Sequence, residues 1–231
     1  MAKLSADGVV VTCQAQMMTT RSYAAQRPRS SAPARRRTAV RRRALGLVVA
    51  MVAVGVLVIV SWPTVHHDIQ RIVLPLTHAD IIRQQAQEKQ LDPGLIAAVI
   101  DAESKFNDQD TSSAGALGLM QLEPDTARFI ARRSGATNFH IADLSTPQVN
   151  IAYGAWYLHY LLQRYGGNEA LALAAYNGGE ANVDRWLVTA SQSGRDFTVA
   201  QIPFPETRAY VGKVLGLRAS YRAAYASELG I

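Results

Sequence analysis

The most apolar part of the chain is a single run from Ala44 to Val60, which contains no charged or strongly polar residue over 17 positions. As a helix this run would be about 25 Å long, and Ser61 and Trp62 extend it to the interface of a membrane. Two arginine triplets precede it, and positive charge on that side favours a cytoplasmic N-terminus. We therefore predict a transmembrane signal anchor over residues 44–62. A cleaved signal peptide is the alternative, although no Ala-x-Ala-like site follows the run.

From residue 78 onward the apolar positions recur at helical spacing, and no stretch alternates in the way that a strand requires. Helix-start residues and glycine stops divide this pattern into separate helices. We therefore predict an all-α domain over residues 78–231. The predicted helices run over 79–89, from Pro93 to Glu103 behind an Asp92 cap, from Pro124 to a stop at Gly135, over 147–164, 169–176 and 180–189, and from Pro205 or Glu206 toward Tyr225.

The helix that begins at Pro93 is apolar on nearly every side over Leu95 to Ile100, so it should be buried. Glu103 would then stand at its C-terminal edge. A carboxyl group in that position is partly desolvated, which raises its pKa and allows it to act as a general acid near neutral pH.

The segment that follows Glu103 is rich in small residues between Ser112 and Gly118. Such residues allow a tight turn and a close approach of a ligand to the backbone. We expect Leu119 and Met120 to supply an apolar floor to the site that this turn forms.

Composition divides the chain unevenly. Residues 1–43 contain ten of the 24 Lys and Arg residues but one of the 18 Asp and Glu residues, so the pI of 9.7 arises from this tail. The tail lacks apolar periodicity, and we predict that it is disordered. The remaining chain is slightly acidic and offers no basic face for nucleic acid. Residues 63–77, which include Pro63 and Pro75, are predicted to be a linker.

Cysteine and histidine usage gives no indication of a metal or another cofactor. Cys13 is the only cysteine and falls in the tail, so the exported part would fold without disulfides. His66 and His67 are adjacent, and two adjacent imidazoles cannot both face one ion from regular structure. We predict no metal site and no cofactor.

Four motifs occur in order along the predicted domain. They are E-S-x-F-N…S-S-x-G-A-x-G-L-M-Q-L-x-P-x-T-A from Glu103, N-I-A-Y-G-x-x-Y-L from Asn150, A-L-A-A-Y-N-G-G ending at Gly179, and I-P-F-P-E-T-R-x-Y-V from Ile202. Together they resemble the signature of the lytic transglycosylases of the soluble-transglycosylase (SLT) type, relatives of goose-type lysozyme. The resemblance implies a lysozyme-like helical domain that acts on the glycan strands of peptidoglycan.

The resemblance also implies a reaction for Glu103. It would protonate the glycosidic oxygen between N-acetylmuramic acid and N-acetylglucosamine and then accept the proton of the 6-hydroxyl group as an anhydro ring closes. Asn177 would bind the N-acetyl group, and Tyr176 would support the acid.

Four further residues are implied to contribute to the same site. Ser112 would form a hydrogen bond near the acid, and Gln121 would contact the sugar. Glu206 and Tyr210 would buttress the cleft from the last helix. One departure from the family pattern is Asp108, where many relatives have proline.

These observations predict a single-pass membrane protein whose catalytic domain lies outside the cytoplasmic membrane. Two alternatives remain open at the level of sequence. The first is a hydrolytic muramidase of the same fold, in which Asp108 or Asp110 positions a water molecule. The second is a non-catalytic scaffold that binds glycan.

Overall fold

The computed structural model describes residues 34–194 and 196–231, and these residues form helices without a strand. Within this part, the isolated β-bridges Thr111–Leu117 and Leu117–Leu122 mark one tight loop. The prediction of an all-α fold is confirmed. The helices are α1 Ala34–Val73, α2 Ala79–Lys89, α3 Pro93–Ser104, α4 Pro124–Ser134, α5 Pro147–Arg164, α6 Glu169–Gly178, α7 Glu180–Gln192, α8 Pro205–Ala224 and α9 Ala226–Leu229, with short 3-10 turns at Ile141–Ser145 and Val199–Gln201.

Capping residues set three of the helix boundaries. The Asp92 carboxylate accepts a hydrogen bond from the Gly94 N–H at 2.9 Å and so opens α3. The Asn168 side chain does the same for α6, where it accepts from the Leu171 N–H at 3.1 Å. Gly135 ends α4 with φ of 78°, a conformation that favours glycine. Local capping therefore explains these three boundaries, whereas α2, α4, α5, α7 and α8 begin without a side-chain cap from the described residues.

The chain comprises two compact units, residues 1–56 and residues 57–231. Residues 34–56 of α1 are the described part of the first unit. The helical segment Leu45–Trp62 is long and apolar enough to cross a membrane, and its large apolar side chains are exposed.

Helix α1 is longer than the predicted membrane span. It includes residues 34–43 of the predicted disordered tail and residues 63–73 of the predicted linker. Extension of an existing helix costs far less than nucleation of a new one, so the apolar segment propagates helix into its neighbours. The rest of the predicted tail, Cys13 included, lies outside the described residues.

Helix α3 lies at the centre of the second unit. Every residue from Gly94 to Asp101 is buried, and α3 packs against α2 and α8. Helix α5 packs against α2, α4 and α6, while α6 also contacts α7 and α8. This arrangement confirms the expectation that the apolar helix before Glu103 is buried.

The packed part of this unit begins before the domain start predicted at residue 78. Leu74 is buried, and its carbonyl oxygen accepts a hydrogen bond from the Tyr225 hydroxyl at 2.7 Å. The Tyr221 hydroxyl lies 2.7 Å from the Pro75 carbonyl oxygen. The end of the predicted linker is therefore attached to α8 and to the residue that follows it.

The loop over residues 117–122 is fixed to α5 by the buried side chain of Asn150. The Asn150 Oδ1 accepts from the Met120 N–H at 2.8 Å, and Nδ2 donates to the carbonyl oxygens of Leu117 and Leu144 at 2.9 Å each. A Cβ atom at Gly118, where φ is +73°, would lie 2.4 Å from the Asn150 Nδ2. The close approach therefore requires glycine.

Gly154 on α5 provides a second close contact, and it yields a stability prediction. A Cβ atom there would lie 2.3 Å from the Met120 Sδ. We expect Gly154→Ala to lower the free energy of unfolding by about 1–3 kcal/mol, because Met120 is wholly buried and must shift. Urea unfolding followed by circular dichroism measures the change.

Gly216 on α8 is the matched control. It is also inside a helix, but a Cβ atom there meets nothing within 4 Å. Gly216→Ala should raise the free energy of unfolding by up to about 1 kcal/mol, since alanine favours helix over glycine. Equal effects of the two substitutions would contradict the packing explanation.

Candidate active site

Glu103 occupies the last turn of α3, and the chain turns sharply after it. Lys105 and Phe106 both adopt left-handed backbone conformations, with φ of 54° and 61°. The Ser104 hydroxyl donates to the Leu119 carbonyl oxygen at 2.8 Å and so attaches the end of α3 to the loop that follows.

The Glu103 carboxyl group is half-buried and has one tyrosine donor. The Tyr210 hydroxyl of α8 donates to Oε1 at 2.7 Å. Burial raises the pKa of Glu103 to about 7, and the Tyr210 hydrogen bond and the nearby charge of Lys213 oppose this rise in part. The group therefore has protonated and ionised forms in comparable amounts near neutral pH.

Glu103 opens into a cleft of about 520 Å³. Five other residues singled out in the sequence line the same cleft, whereas Tyr210 is buried beside Glu103 and is not part of the lining. The structure therefore brings together side chains from α3, the loop before α4, α6 and α8. The predicted residues that line the cleft are Glu103, Ser112, Gln121, Tyr176, Asn177 and Glu206.

Ser112 and Gln121 are held within the loop that forms one wall of the cleft. The Ser112 Oγ accepts from the Ala116 N–H at 3.0 Å and closes a tight turn. The Gln121 Nε2 donates to the carbonyl oxygens of Gly118 at 2.9 Å and of Asp110 at 3.2 Å. These contacts fix the orientation of the amide of Gln121, whose backbone φ is 45°.

Tyr176 and Asn177 lie on the opposite wall, in the last turn of α6. The Tyr176 hydroxyl donates to the Met120 carbonyl oxygen at 2.9 Å, and burial together with the Glu103 charge places its pKa well above the usual value. Asn177 is exposed. The direct hydrogen bond to Glu103 thus comes from Tyr210, whereas Tyr176 joins the two walls of the cleft.

The prediction that Leu119 and Met120 form an apolar floor of the site is wrong. Both side chains are wholly inaccessible and point into the core, and neither residue lines the cleft. Their backbone groups instead bind Ser104, Asn150 and Tyr176. The apolar part of the lining consists of Ala114, Ala116, Leu122 and Ala175.

The three aspartates nearest to Glu103 in the sequence do not share the cleft with it. Asp101 is buried, with Lys105 Nζ at 2.7 Å and the Tyr221 hydroxyl at 2.9 Å from its oxygens. Asp108 and Asp110 line a different groove. Among the described residues, the carboxylates that share the lining with Glu103 are those of Glu123 and Glu206.

Sequence reasoning missed Asn150 and Lys213. Asn150 begins one of the four motifs, but nothing in the motif shows that its amide binds three backbone groups. Lys213 is exposed and donates to the Ala102 carbonyl oxygen at 3.0 Å, which places its charge near Glu103. Lys213 follows Tyr210 by one turn of α8, and this spacing could have indicated from the sequence that Lys213 lies near Glu103.

Comparison with known proteins identifies the family of the chain. The family model described as transglycosylase SLT domain matches residues 80–197. The soluble lytic murein transglycosylase of Escherichia coli (strain K12) is 36% identical over 152 residues, which is 64% of this chain and 23% of that protein. The membrane-bound lytic murein transglycosylase C of Sodalis glossinidius is 31% identical over 165 residues, covering 62% of this chain and 46% of that protein.

The fold has a solved counterpart. The crystal structure of the 70-kDa soluble lytic transglycosylase of Escherichia coli has a TM-score of 0.61 and 35% identity, covering 64% of this chain and 24% of that one. The chain therefore spans about a quarter of the length of its soluble relatives. Because the family model matches more than half of the 231 residues and the solved fold agrees, the chain belongs to the transglycosylase SLT domain family.

Proposed function

We propose that residues 78–231 cleave the β-1,4 bond between N-acetylmuramic acid and N-acetylglucosamine in peptidoglycan and leave a 1,6-anhydro end. The observation that carries this proposal is the position of Glu103, a half-buried carboxyl group with a pKa of about 7 that opens into the cleft. A group with that pKa donates and accepts a proton with nearly equal ease at neutral pH. The reaction requires both steps from one residue.

The first step breaks the glycosidic bond. Glu103 transfers its proton to the glycosidic oxygen, the leaving sugar departs as an alcohol, and the carbonyl oxygen of the N-acetyl group stabilises the positive charge at C1. In this proposal Asn177, which is exposed at the end of α6 and lines the cleft, binds that acetamido group. Tyr210 donates to the carboxylate that remains and so stabilises it.

The second step closes the anhydro ring. The 6-hydroxyl oxygen of the same sugar attacks C1 while Glu103 accepts its proton, which restores the acid. No water molecule is consumed, so the site must orient the sugar and keep solvent from C1. The rigid wall made by Ser112 and Gln121 supports the first requirement.

Hydrolysis by the common inverting mechanism uses a second carboxylate that positions water opposite the acid. Asp108 and Asp110, the residues considered for this role, line another groove. Hydrolysis by two carboxylates in this cleft would therefore depend on Glu123 or Glu206, both of which are exposed in the lining.

We expect Glu103→Gln to reduce turnover of peptidoglycan sacculi by at least about 10²-fold while glycan binding is retained, since the amide cannot transfer the proton. Chromatography and mass spectrometry of released muropeptides measure the rate. Asp108→Asn is the matched control and should retain full activity. Turnover that is unchanged in Glu103→Gln would contradict the role of Glu103 as the acid. Absence of turnover in the wild-type chain, with biological function intact in Glu103→Gln, would support the scaffold alternative instead.

The mass of the product separates the two reactions. An anhydro end makes each muropeptide lighter by one water molecule than the hydrolytic product with a free reducing end. Free reducing ends as the main product would contradict the proposed ring closure. If Glu206→Gln then abolished the formation of free reducing ends, Glu206 would be identified as the residue that positions water.

The raised pKa of Glu103 predicts a dependence of stability on pH. Between about 4.5 and about 7 the folded chain binds this proton more tightly than the unfolded chain, so stability falls as pH rises through that window. Relative to Glu103→Gln, the wild-type chain should lose up to about 3 kcal/mol of unfolding free energy from pH 4 to pH 8. Urea unfolding at stepped pH measures the difference.

Tyr210→Phe provides a second arm of this experiment. It removes the hydrogen bond that favours the charged form of Glu103, so the upper limit of the window should move to higher pH. A difference between wild type and Glu103→Gln that does not vary with pH would contradict the buried-acid assignment.

We propose further that residues 44–62 anchor the chain in the cytoplasmic membrane, with the N-terminus inside and residues 78–231 outside. The apolar helix and the arginine triplets before it support this topology. The predicted linker, residues 63–77, would then begin as the continuation of α1 and end where Leu74 and Pro75 are attached to Tyr225 and Tyr221.

Cys13 allows a direct test of this topology, because it is the only cysteine. In intact cells a membrane-impermeant maleimide should leave Cys13 unlabelled, whereas it should label an added cysteine in the double variant Cys13→Ser, Ser227→Cys, since Ser227 is exposed. Labelling of Cys13 before lysis would contradict the orientation. Loss of Cys13 from the mature chain by mass spectrometry would indicate a cleaved signal.

A further inference from the structure

Glu180 is a partly buried carboxylate that the reaction above does not use. It is the first residue of α7 and directly follows Gly179, and its side chain is 25% exposed. It does not line the cleft that contains Glu103. A carboxylate withdrawn from water in this way needs partners, and its partners indicate its role.

Among the residues that the structure describes, one face of α5 supplies the donors to the Glu180 carboxylate. The Tyr157 hydroxyl donates to Oε1 at 3.3 Å, and the Tyr160 hydroxyl donates to Oε2 at 3.1 Å. The Arg164 Nε lies 3.2 Å from Oε2. These three residues are spaced one helical turn apart, so a single carboxylate fixes the start of α7 against two turns of α5.

The bend beside Glu180 forms part of the cleft wall. Helix α6 ends at Gly178 and α7 begins at Glu180, with Gly179 between them at φ of 84° and ψ of 141°. Asn177, Gly178 and Gly179 all line the cleft. The position of this wall therefore depends on where the first turn of α7 is held.

The opposite side of the bend is already fixed. A Cβ atom at Gly178 would lie 3.0 Å from the Thr207 Oγ1 of α8, and the Gly178 carbonyl oxygen accepts from the Asn182 Nδ2 at 2.6 Å. Glu180 supplies the corresponding restraint toward α5. Without its side chain, the contact from the end of α5 to the first residue of α7 would be the long one between the Tyr165 hydroxyl and the Glu180 carbonyl oxygen, at 3.5 Å.

Tyr157 connects this restraint to the cleft itself. Its hydroxyl binds Glu180, while the residue lines the cleft and its ring centroid lies 5.6 Å from that of Tyr176. Tyr157 is buried, so its ring cannot move without displacing Tyr176 or the start of α7.

Asp184 shows that Glu180 is not needed merely to join the helices. One turn further along α7, Asp184 lies 2.6 Å from the Arg164 Nη2 and accepts from the Tyr165 hydroxyl at 3.2 Å. This second attachment of α7 to α5 is remote from the cleft wall. The two carboxylates share Arg164 but differ in their distance along the chain from Asn177.

We propose that Glu180 is a positioning residue, which holds the Gly178–Gly179 bend so that Asn177 meets the acetamido group of the substrate. The proposal rests on the function proposed above. Since Glu103 and Tyr210 are untouched, loss of Glu180 should weaken substrate binding rather than the proton transfer.

The test compares Glu180→Gln with Asp184→Asn in the full chain in detergent. Glu180→Gln should raise KM for purified glycan strands roughly three- to tenfold with little change in kcat, because it removes binding at Asn177 and not chemistry. Asp184→Asn should leave KM within roughly twofold of wild type. Both variants should keep the pH profile of kcat, and thermal melting should show that the two are destabilised to a similar extent.

Tyr157→Phe gives an independent arm, because it keeps the ring and removes only the hydroxyl. It should raise KM in the same direction, and the double variant with Glu180→Gln should show no additional rise, since both changes break one connection. Additive effects, an unchanged KM in Glu180→Gln, or an equal rise in Asp184→Asn would each overturn the proposal.

Binding measured without turnover separates this proposal from the proposed reaction. In a Glu103→Gln background, calorimetric titration with the N-acetylglucosamine hexamer should show weaker binding when Glu180→Gln is added. An unchanged Kd overturns the positioning role even where wild-type turnover is present. Weaker binding supports it even if the product of the wild-type chain proves to be hydrolytic.

Discussion

The site depends on the burial of one helix on all its sides. Helix α3 lies inside the domain from Gly94 to Asp101, so its last turn carries Glu103 to the boundary between core and cleft. Water cannot reach the carboxyl group from the helix side, and this desolvation raises its pKa. The packing of apolar residues far from any substrate thus determines the protonation state of the acid.

The two walls of the cleft are fixed by different means. The loop before α4 is held through its backbone by Ser104, Asn150 and Tyr176. Its Leu119 and Met120 side chains are turned into the core. The α6–α7 bend is held by side chains of neighbouring helices, chiefly through Glu180. Both walls exist before substrate arrives, so little ordering free energy opposes binding.

Local signals in the sequence were sufficient to predict the helices and the position of Glu103 at the end of a buried helix. Asp92, Asn168 and Gly135 act within one turn of their own positions, so their effects can be inferred without tertiary structure. The inward orientation of the Leu119 and Met120 side chains could not be predicted from the sequence. Gly118 and Gln121, which flank these two residues, adopt left-handed backbone conformations that turn the chain. The contact of Tyr210 with Glu103 joins residues 107 positions apart, and helical periodicity gives no information over that distance.

Lys105, Phe106 and Gln121 all adopt left-handed backbone conformations without being glycine, and all lie close to Glu103 in the sequence or in the cleft. Each such residue costs about 1 kcal/mol or more relative to an ordinary conformation. Selection for heat tolerance would favour glycine or asparagine at these positions. Because glycine would keep the same turns, this cost arises from the side chains at these positions and not from the turns that orient Glu103 and the Gln121 amide.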